Sequence, residues 1–302
     1  MKRELRLLLT SECNYNCFFC HREGVNPNSN KEAFIADDYA FLYDICNEIY
    51  PSDRVTISGG EPLIRNDIGE ILTLFRSKKV KLTLVTNGSL LKKNCELISK
   101  NVDRINISLH TLDCNVYKDI TKTNVKALEK TIDGIIALSQ TGNMTSIRFN
   151  ITLVKGINDD YKVLNDLIDF AQKVGASIKF IELYPKTLDA FVPLTYVENY
   201  LLKNGFIFLE QDDRQIIYKR EEQIVALTQI FCAFSEKLAK RGDFCKEKQD
   251  LFITPSGGIK ICMNNQLEIP IKEEVINRDD LGLSNKILKA TALFGNCNLK
   301  KG

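Results

Sequence analysis

Residues 5–20 read LRLLLTSECNYNCFFC, an apolar run followed at once by three cysteines. The spacing is Cys13-x3-Cys17-x2-Cys20, so one short loop carries all three thiols. Protein iron–sulfur clusters are usually held by four thiolates. A [4Fe-4S] cluster on this loop would therefore keep one iron open to a small chelating ligand, which makes that iron a place for chemistry.

Two other interpretations of the three cysteines stay open. They could form a zinc site completed by His21, or they could be buried thiols without a metal. Zinc ligands more often come as two separated pairs, and this spacing pattern therefore favours the cluster.

The composition is that of an ordinary soluble globular protein: 302 residues, 44% hydrophobic and 26% charged. A net charge of +2 gives no reason to expect nucleic acid or an anionic membrane as a main partner. No apolar run approaches the ~20 residues of a membrane helix. The first strand leads straight into the cysteine loop, so we expect no removable signal peptide and a cytoplasmic protein.

Ten cysteines in a chain with these features are expected to be reduced or metal-bound rather than paired as disulfides. Three of them lie inside or beside apolar helical patterns, and we expect these to be plain core or surface residues: Cys46, Cys95 and Cys114.

Short strands rich in Val, Ile and Leu alternate with amphipathic helical stretches. The predicted strands are 3–9, 54–58, 81–86, 104–108, 147–153 and 177–181, and the predicted helices are 37–49, 67–77, 90–100, 126–140 and 160–173. Such βα units imply parallel strands with right-handed crossovers. The predicted fold class is α/β, a partial (β/α)6 TIM barrel over residues 1–190 with a smaller C-terminal α+β region over 191–302.

Polar or glycine-rich segments follow five of the six predicted strands. They are the cysteine loop, Ser58-Gly59-Gly60-Glu61-Pro62, Thr86-Asn87-Gly88, Ser108-Leu109-His110 and Glu182-Leu183-Tyr184-Pro185. Barrel active sites collect at the carboxyl ends of strands. Paired glycines let backbone groups approach a ligand closely, and Glu61 offers an acceptor suited to an ammonium group. Taken alone, this segment could equally be an ordinary turn.

The cysteine spacing, with Phe19 before the third cysteine, resembles the signature of the radical S-adenosylmethionine (radical SAM) superfamily. The resemblance implies a cluster on Cys13, Cys17 and Cys20 whose open iron binds the methionine part of SAM. It also implies reductive cleavage of SAM and hydrogen abstraction by a 5′-deoxyadenosyl radical. The glycine-Glu-Pro segment is similar to the family's GGEP motif, which holds the methionine amine.

Longer runs between residues 4 and 186 are similar to the GTP 3′,8-cyclase family of molybdenum-cofactor biosynthesis. They include SGGEPLIR at 58–65, TNGSLL at 86–91, VKGIND at 154–159 and FIELYP at 180–185. The implied cofactor-binding residues are Phe19, Gly59, Gly60, Glu61, Pro62, Asn87, Ser108, Asn150 and Ile181. The implied substrate-binding residues are Arg65 and Lys155, with solvated surface cations as the alternative. His110 stands where that family normally has Asp.

The region after residue 190 predicts two hairpins, 205–209 with 215–219 and 251–254 with 259–263. The pattern Cys245-x11-Gly257-x4-Cys262 resembles the twitch or SPASM motif that holds auxiliary clusters. A third ligand would be Cys232 or Cys297. The resemblance leaves two alternatives open: an auxiliary cluster on this rearranged set, or a lost cluster whose thiols are structural.

The same region departs from the cyclase family, which carries a second cysteine and two cations before the hairpin cysteine. The aligned positions here are Cys245, Lys248, Asp250, Phe252 and Cys262. Those cations help hold a triphosphate in the family, so their replacement speaks against GTP as the substrate.

The leading hypothesis is a cyclase-like radical SAM enzyme, of lyase or rearrangement type, acting on a small nucleotide-like substrate. It would use SAM, one [4Fe-4S] cluster with a second as a candidate, and an electron donor such as flavodoxin or ferredoxin. No side chain beyond the cofactor ligands is needed as a catalytic group. The first alternative is a peptide-modifying radical SAM enzyme, and the second is a non-enzymatic iron–sulfur or zinc protein.

Overall fold

The computed structural model of the chain describes residues 2–25, 32–142, 145–183, 189–212, 215–229, 248–263 and 267–294. The described strands are β1 (Lys2–Leu8), β2 (Arg54–Ser58), β3 (Lys81–Thr86), β4 (Arg104–Ser108), β5 (Ser146–Thr152), β6 (Ser177–Ile181), β7 (Ile207–Gln211), β8 (Gln215–Arg220), β9 (Gln223–Thr228), β10 (Lys248–Ile253), β11 (Gly258–Lys260) and β12 (Ile269–Pro270).

The described α-helices fill the crossovers and cover the C-terminal strands. They are α1 (Ala36–Ile49), α2 (Ile68–Ser77), α3 (Leu91–Asn101), α4 (Cys114–Thr121), α5 (Lys126–Ser139), α6 (Tyr161–Lys173), α7 (Leu194–Lys203), α8 (Lys272–Ile276) and α9 (Asp280–Thr291). The six predicted barrel strands, the five predicted helices and both hairpins are confirmed. The sequence analysis missed α4, α7, α8, α9, β9 and β12.

One sheet joins all of these strands, in the order β12-β11-β10-β1-β2-β3-β4-β5-β6-β9-β8-β7. Neighbours from β1 to β6 pair in parallel, as the βα units predicted. The sheet curls: Glu4 on β1 is close enough to Arg148 on β5 for its charge to oppose the burial that lowers the pKa of Arg148. Four strand spacings of a flat sheet would separate these strands by roughly 19 Å, so the fold is a partial barrel.

The two faces of the sheet differ in chemistry because side chains alternate along each strand. The outer face is apolar and packs under the helices through residues such as Leu7, Ile57, Leu84, Ile107 and Phe149, all fully buried. The inner face is polar. The strand registers align its members across the barrel: Arg6, Thr56, Asn106, Arg148, Asn150 and Lys179.

The strands after residue 190 extend both ends of the barrel sheet. β9 pairs in parallel with β6, and β10 pairs in parallel with β1. Helices α8 and α9 pack against α1 on the apolar side. The boundary at residue 190 stays a prediction, since these strands continue the same sheet.

No helix in the described ranges has the length and apolar character needed to cross a bilayer.

Candidate active site

The three-cysteine loop is fastened to the barrel by backbone hydrogen bonds. Asn16 N donates to Thr121 O at 3.0 Å, and Phe18 N donates to Ile120 O at 3.3 Å. Both acceptors lie at the end of α4. The loop therefore takes its position from a helix that the sequence analysis did not identify.

The three thiols are close enough together to act on one another. Cys13 and Cys20 are exposed, whereas Cys17 is half-buried. Burial raises the pKa of Cys17 to about 12, and the neighbouring charges of Cys20 and Cys13 add to the shift. Burial also raises the pKa of Cys13. A cation or cationic cluster would remove this repulsion, because it stabilises thiolates.

A cavity of about 320 Å³ lies between the cysteine loop and the turn after β2. Its lining combines the three thiols with backbone from the glycine pair: Ser11, Cys13, Tyr15, Asn16, Cys17, Cys20, Arg22, Val25, Gly59 and Gly60. This places the metal-ligand candidates and the glycine motif around one space at the carboxyl ends of β1 and β2.

The glycine pair is packed directly against the cysteine loop. A Cβ on Gly60 would lie 1.8 Å from the backbone oxygen of Glu12, and Gly59 has φ +122°. Gly60 N donates to Thr10 O at 2.7 Å, and Glu61 N donates to Glu12 O at 2.8 Å. Glycine is required here because no side chain fits between the two segments.

Glu61 organises the site from beneath rather than facing the cavity. Its side chain is 0% exposed. Its carboxylate accepts hydrogen bonds from Leu63 N at 3.0 Å, Thr86 Oγ1 at 2.7 Å and Asn87 N at 2.7 Å. Burial raises the pKa of Glu61 to about 7, against the opposing effect of these donors. The expected acceptor for an ammonium group is thus occupied by protein donors, and the neighbouring backbone is what faces the cavity.

Asn87 connects the turn after β3 to the cysteine loop. Its Nδ2 donates to Asn14 Oδ1 at 2.8 Å and lies 3.8 Å from Cys13 Sγ. Asn14 Nδ2 in turn donates to Ser89 Oγ at 2.8 Å. The ends of β1, β2 and β3 therefore form one hydrogen-bonded unit.

Ser108, Asn150 and Ile181 are half-buried on the inner face of neighbouring strands. Ser108 is paired in register with Asn150. The Oδ1 atom of Asn150 is buried and has no hydrogen-bond partner among the described residues. Buried acceptors are usually satisfied, so this atom suits a donor from a bound ligand.

His110 occupies the end of β4 as a buried base, with 5% of its surface exposed. Its Nδ1 accepts from Thr152 N at 3.1 Å. Its ring meets the edge of Phe19 at a centroid distance of 4.9 Å and an angle of 89°. Burial lowers the pKa of His110 to about 4, so the imidazole is neutral at pH 7 with its proton on Nε2.

An ion pair inside the barrel was missed by the sequence analysis. Arg6 Nη2 lies 3.4 Å from Glu23 Oε2, and Arg6 Nη1 lies 3.7 Å from Glu4 Oε2. Ser58 Oγ donates to Glu23 Oε1 at 3.3 Å. The sequence carries a signal for this pair, because Glu4 and Arg6 alternate along β1 with the buried residues Leu5 and Leu7. Their side chains therefore share the opposite face of the strand.

The two predicted substrate cations are in different environments. The side chain of Arg65 is 2% exposed and binds Asp67 Oδ2 at 2.6 Å, Leu9 O at 2.8 Å and Phe34 O at 3.0 Å. The alternative of a solvated surface cation is therefore wrong for Arg65. Lys155 is exposed beside the turn after β5. The substrate role of both residues stays a prediction.

His21 has its Nδ1 engaged as the acceptor for Glu23 N at 3.1 Å. In the described ranges no three His, Cys, Asp or Glu side chains are gathered for a single metal ion. In this arrangement only Nε2 of His21 is available as a zinc ligand, because Nδ1 accepts the hydrogen bond from Glu23 N.

Three of the four auxiliary-cluster candidates, Cys232, Cys245 and Cys297, lie outside the described residues. Cys262 is described and half-exposed, just after β11. The neighbouring Met263 backbone oxygen lies 2.0 Å from where a Cβ on Gly24 would be, and Lys260 Nζ donates to Gly24 O at 2.8 Å. The described part of this region therefore packs on the segment that follows the cysteine loop.

Comparison with known families identifies the family of the chain. The family model described as the radical SAM superfamily matches residues 7–168, which is more than half of the chain. The chain belongs to the radical SAM superfamily. It is an enzyme of this kind, and its three-cysteine loop, glycine-Glu-Pro turn and polar strand ends lie within or beside the barrel that the superfamily shares.

Several curated relatives carry the name "Probable GTP 3′,8-cyclase". The one from Thermococcus kodakarensis is 33% identical, with 87% of this chain and 86% of the relative covered. The one from Pyrobaculum aerophilum is 30% identical, with 96% and 93% covered. The solved structure of Streptococcus suis SuiB bound to S-adenosylmethionine has a TM-score of 0.66 at 19% identity, covering 94% of this chain and 67% of SuiB. That likeness shows the fold.

The residues of this radical SAM chain fit a [4Fe-4S] cluster and SAM. The three mutually interacting thiols would supply the cluster ligands, and the glycine pair leaves backbone exposed toward the same cavity. The unsatisfied Asn150 Oδ1 lies on the inner face of the barrel.

Proposed function

We propose that this radical SAM enzyme binds a [4Fe-4S] cluster through Cys13, Cys17 and Cys20 and performs hydrogen-abstraction chemistry on a small, nucleotide-like substrate. One observation carries the proposal: the three thiols and the Gly59-Gly60 backbone line a single cavity at the carboxyl ends of parallel strands. Three ligands on one loop leave a coordination position for SAM.

When bound, the reduced cluster supplies the electron that cleaves SAM into methionine and a 5′-deoxyadenosyl radical. The protein's own contribution is to orient and enclose. Phe19 packs on buried His110 and would shield one side of the loop from water, and buried Glu61 fixes the glycine turn. Exclusion of water protects a reactive intermediate from side reactions.

The proposed SAM contacts follow from the positions of the inner-face residues. The backbone of Gly59 and Gly60 would receive the methionine amine, with Glu61 and Pro62 shaping that turn from below. Asn87 would approach from β3. Ser108 and Asn150 would meet the carboxylate and ribose, and Ile181 would pack against the adenine, since the three strands are adjacent.

The relatives named as GTP 3′,8-cyclases support a small substrate of nucleotide type and a cyclisation or rearrangement reaction. Lys155, which is exposed beside the turn after β5, would contact such a substrate. Residues 191–302 would form the cover over this mouth. A flavodoxin or ferredoxin would supply the electron.

Cysteine substitution with SAM turnover tests this function. Anaerobically reconstituted, reduced protein is expected to convert SAM to 5′-deoxyadenosine. The Cys13→Ala variant should lose this activity and its cluster absorbance, because thiolates are the cluster ligands. Cys114→Ala is the matched control, since Cys114 is likewise exposed but lies on α4 outside the cavity. Zinc in place of iron in wild-type protein, or equal activity in both variants, would overturn the proposal.

A further inference from the structure

Strand β9 ends in a threonine whose buried hydroxyl has no partner in the described part of the chain. Thr228 is 6% exposed, and its Oγ1 atom is buried without a hydrogen bond. Its backbone oxygen is satisfied, because Thr228 O accepts from Glu182 N at 3.2 Å. Buried hydroxyl groups are usually hydrogen-bonded, so this one suits a polar atom from outside the chain.

The strand register places Thr228 on the inner face of the barrel, at its catalytic end. β9 pairs in parallel with β6, and Thr228 is paired in register with Ile181. Ile181 is in turn paired in register with Thr152 on β5. Side chains of residues paired in this way point to the same face of the sheet. Thr152, Ile181 and Thr228 are the last residues of their strands, so this row lies at the carboxyl ends, as the cysteine loop does.

A second unpartnered atom lies on the other side of Ile181. Asn150 Oδ1 on β5 is also buried without a hydrogen bond among the described residues. Asn150 is paired in register with Lys179, two residues before Ile181 on β6. In a flat sheet, two strand spacings and two residues along the strand would separate Asn150 from Thr228 by roughly 12 Å. The two unpartnered side chains therefore flank the half-buried side chain of Ile181.

This arrangement is complementary to a nucleoside lying across β6. The flat face of a base would pack on Ile181, and the polar atoms at the edge of the base would then need partners beside it. Adenine presents an amino donor and ring-nitrogen acceptors at its edge. A threonine hydroxyl can serve either kind of atom, because it both donates and accepts. A ribose hydroxyl is a donor that suits the free oxygen of Asn150.

We propose that Thr228 binds the edge of the adenine of SAM, so that β9, a strand outside β1–β6, completes the adenosine site. The inference rests on the proposed function and adds a binding residue to it. Without this hydroxyl, an adenine packed on Ile181 would bury one polar edge atom unpaired, which opposes binding.

Replacing the Thr228 hydroxyl by a methyl group tests the assignment. In Thr228→Val, the affinities of the reconstituted enzyme for SAM and for 5′-deoxyadenosine should both fall about tenfold, because one polar atom of either ligand is left unpaired. Thr228→Ser keeps the hydroxyl and should hold both affinities within about threefold of wild type. Wild-type affinities in Thr228→Val would overturn the inference and assign the hydroxyl to water alone. A fall for SAM without a fall for 5′-deoxyadenosine would also overturn it, since both ligands carry the same adenine.

Thermal unfolding of the reconstituted, SAM-free enzyme separates binding from folding. Thr228→Val removes an unpaired buried hydroxyl, so its unfolding temperature should equal or exceed that of wild type. Thr145→Val is the matched control, because it makes the same change just before β5, at the amino end of the barrel, where Thr145 Oγ1 donates to Val102 O at 2.8 Å. This control should unfold at a lower temperature and bind SAM as wild type does. Earlier unfolding of Thr228→Val would overturn the inference, since it would place the partner of the hydroxyl within the protein.

The proposed function and this inference fail in different ways. A wild-type enzyme that neither binds nor cleaves SAM refutes both. A wild-type enzyme that binds and cleaves SAM, with unaltered affinities in Thr228→Val, refutes the role of Thr228 alone.

Discussion

Glu61 Oε2 accepts a hydrogen bond from the backbone N of Asn87 at 2.7 Å and thereby joins the turn after β2 to the turn after β3. Because Asn87 also donates to Asn14 beside Cys13, a single buried carboxylate fixes the distance between the glycine turn and the cysteine loop. Glu61 thus acts in the site by holding its neighbours, the glycine turn and Asn87, in position.

Replacing Glu61 by Gln should weaken both stability and SAM binding. One carboxylate oxygen becomes an NH2 group, and this donor would face the N–H of Leu63 or Asn87. Leaving buried donors unpaired costs about 1–3 kcal/mol. Urea unfolding and SAM titration measure the two effects, with Glu96→Gln on exposed α3 as control. Wild-type SAM affinity in Glu61→Gln would contradict the bridging role.

A methyl group at Gly60 should disrupt the cavity, whereas one at Gly69 should not. The Gly60→Ala carbon would start 1.8 Å from Glu12 O, so one segment must move. We expect a loss of about 1–3 kcal/mol in the free energy of unfolding and a loss of SAM binding. Gly69→Ala in α2 meets nothing closer than 3.8 Å and should be neutral or stabilising by about 0.5 kcal/mol. Similar SAM affinities for the two variants would contradict the close-packing account.

The Arg65→Met and Lys155→Met variants should differ in their free energy of unfolding and in their kinetics. Arg65 is buried and bonded to Asp67 and two backbone carbonyls, and breaking such a pair costs about 3–5 kcal/mol. Lys155→Met removes an exposed charge, so stability should hold while the KM for substrate rises. Denaturant unfolding and steady-state kinetics distinguish them. Equal unfolding free energies would show that Arg65 is not structural.

His110 should make stability depend on pH in a defined window. Its pKa is about 4 in the folded protein against 6.5 ordinarily, so the unfolded chain binds more protons between these values. The contribution of His110 to stability should therefore fall as the pH falls from 6.5 toward 4, by on the order of 3 kcal/mol. The raised pKa of buried Glu61 acts in the opposite direction over much of this range, so the difference between wild type and a His110 variant is the quantity that reports His110. His110→Asn keeps an acceptor for Thr152 N and should flatten this part of the profile. Urea unfolding midpoints of wild type and His110→Asn at pH 5 and 7.5 measure this contribution. Parallel pH profiles for the two proteins would refute the role of His110.

Iron analysis should decide whether the C-terminal cysteines hold a second cluster. Two [4Fe-4S] clusters would give about eight irons per chain, falling to about four in Cys245→Ala and Cys262→Ala, because thiolates are obligatory ligands. Cys46→Ala, at a buried core position, should leave the count unchanged. Four irons already in the wild type would mean that the C-terminal cysteines hold no cluster.

The barrel was predictable from sequence because its strands and helices obey local rules. Bounds such as Arg54–Ser58 and Ser177–Ile181 follow from β-rich apolar runs between turns. The elements missed are those with weak local patterns. Helix α4 is capped by Asp113, whose side chain accepts from Asn115 N and Val116 N. The helix has only 8 residues, too few for its periodicity to stand out from a loop.

Residues that belong to a sequence motif could be assigned to the site from the sequence. The direction in which their side chains point could not. Sequence placed Glu61 beside the glycine turn, but only tertiary contacts with Thr86 and Asn87 show that its carboxylate faces inward. The ion pair of Arg6 with Glu23 joins β1 to the segment that follows the cysteine loop. It depends on the path of that loop, which periodicity cannot reveal.

The pairing of β10 with β1 also means that the sheet cannot be completed until late in synthesis on the ribosome. Residues 248–253 are synthesised after every barrel strand, so the nascent chain holds β1 with one edge of unpaired backbone groups for most of translation. Closing so distant a pair is intrinsically slow and exposes the intermediate to association with other chains. Chains released early would carry this open edge permanently, which makes truncated products the species most prone to aggregate.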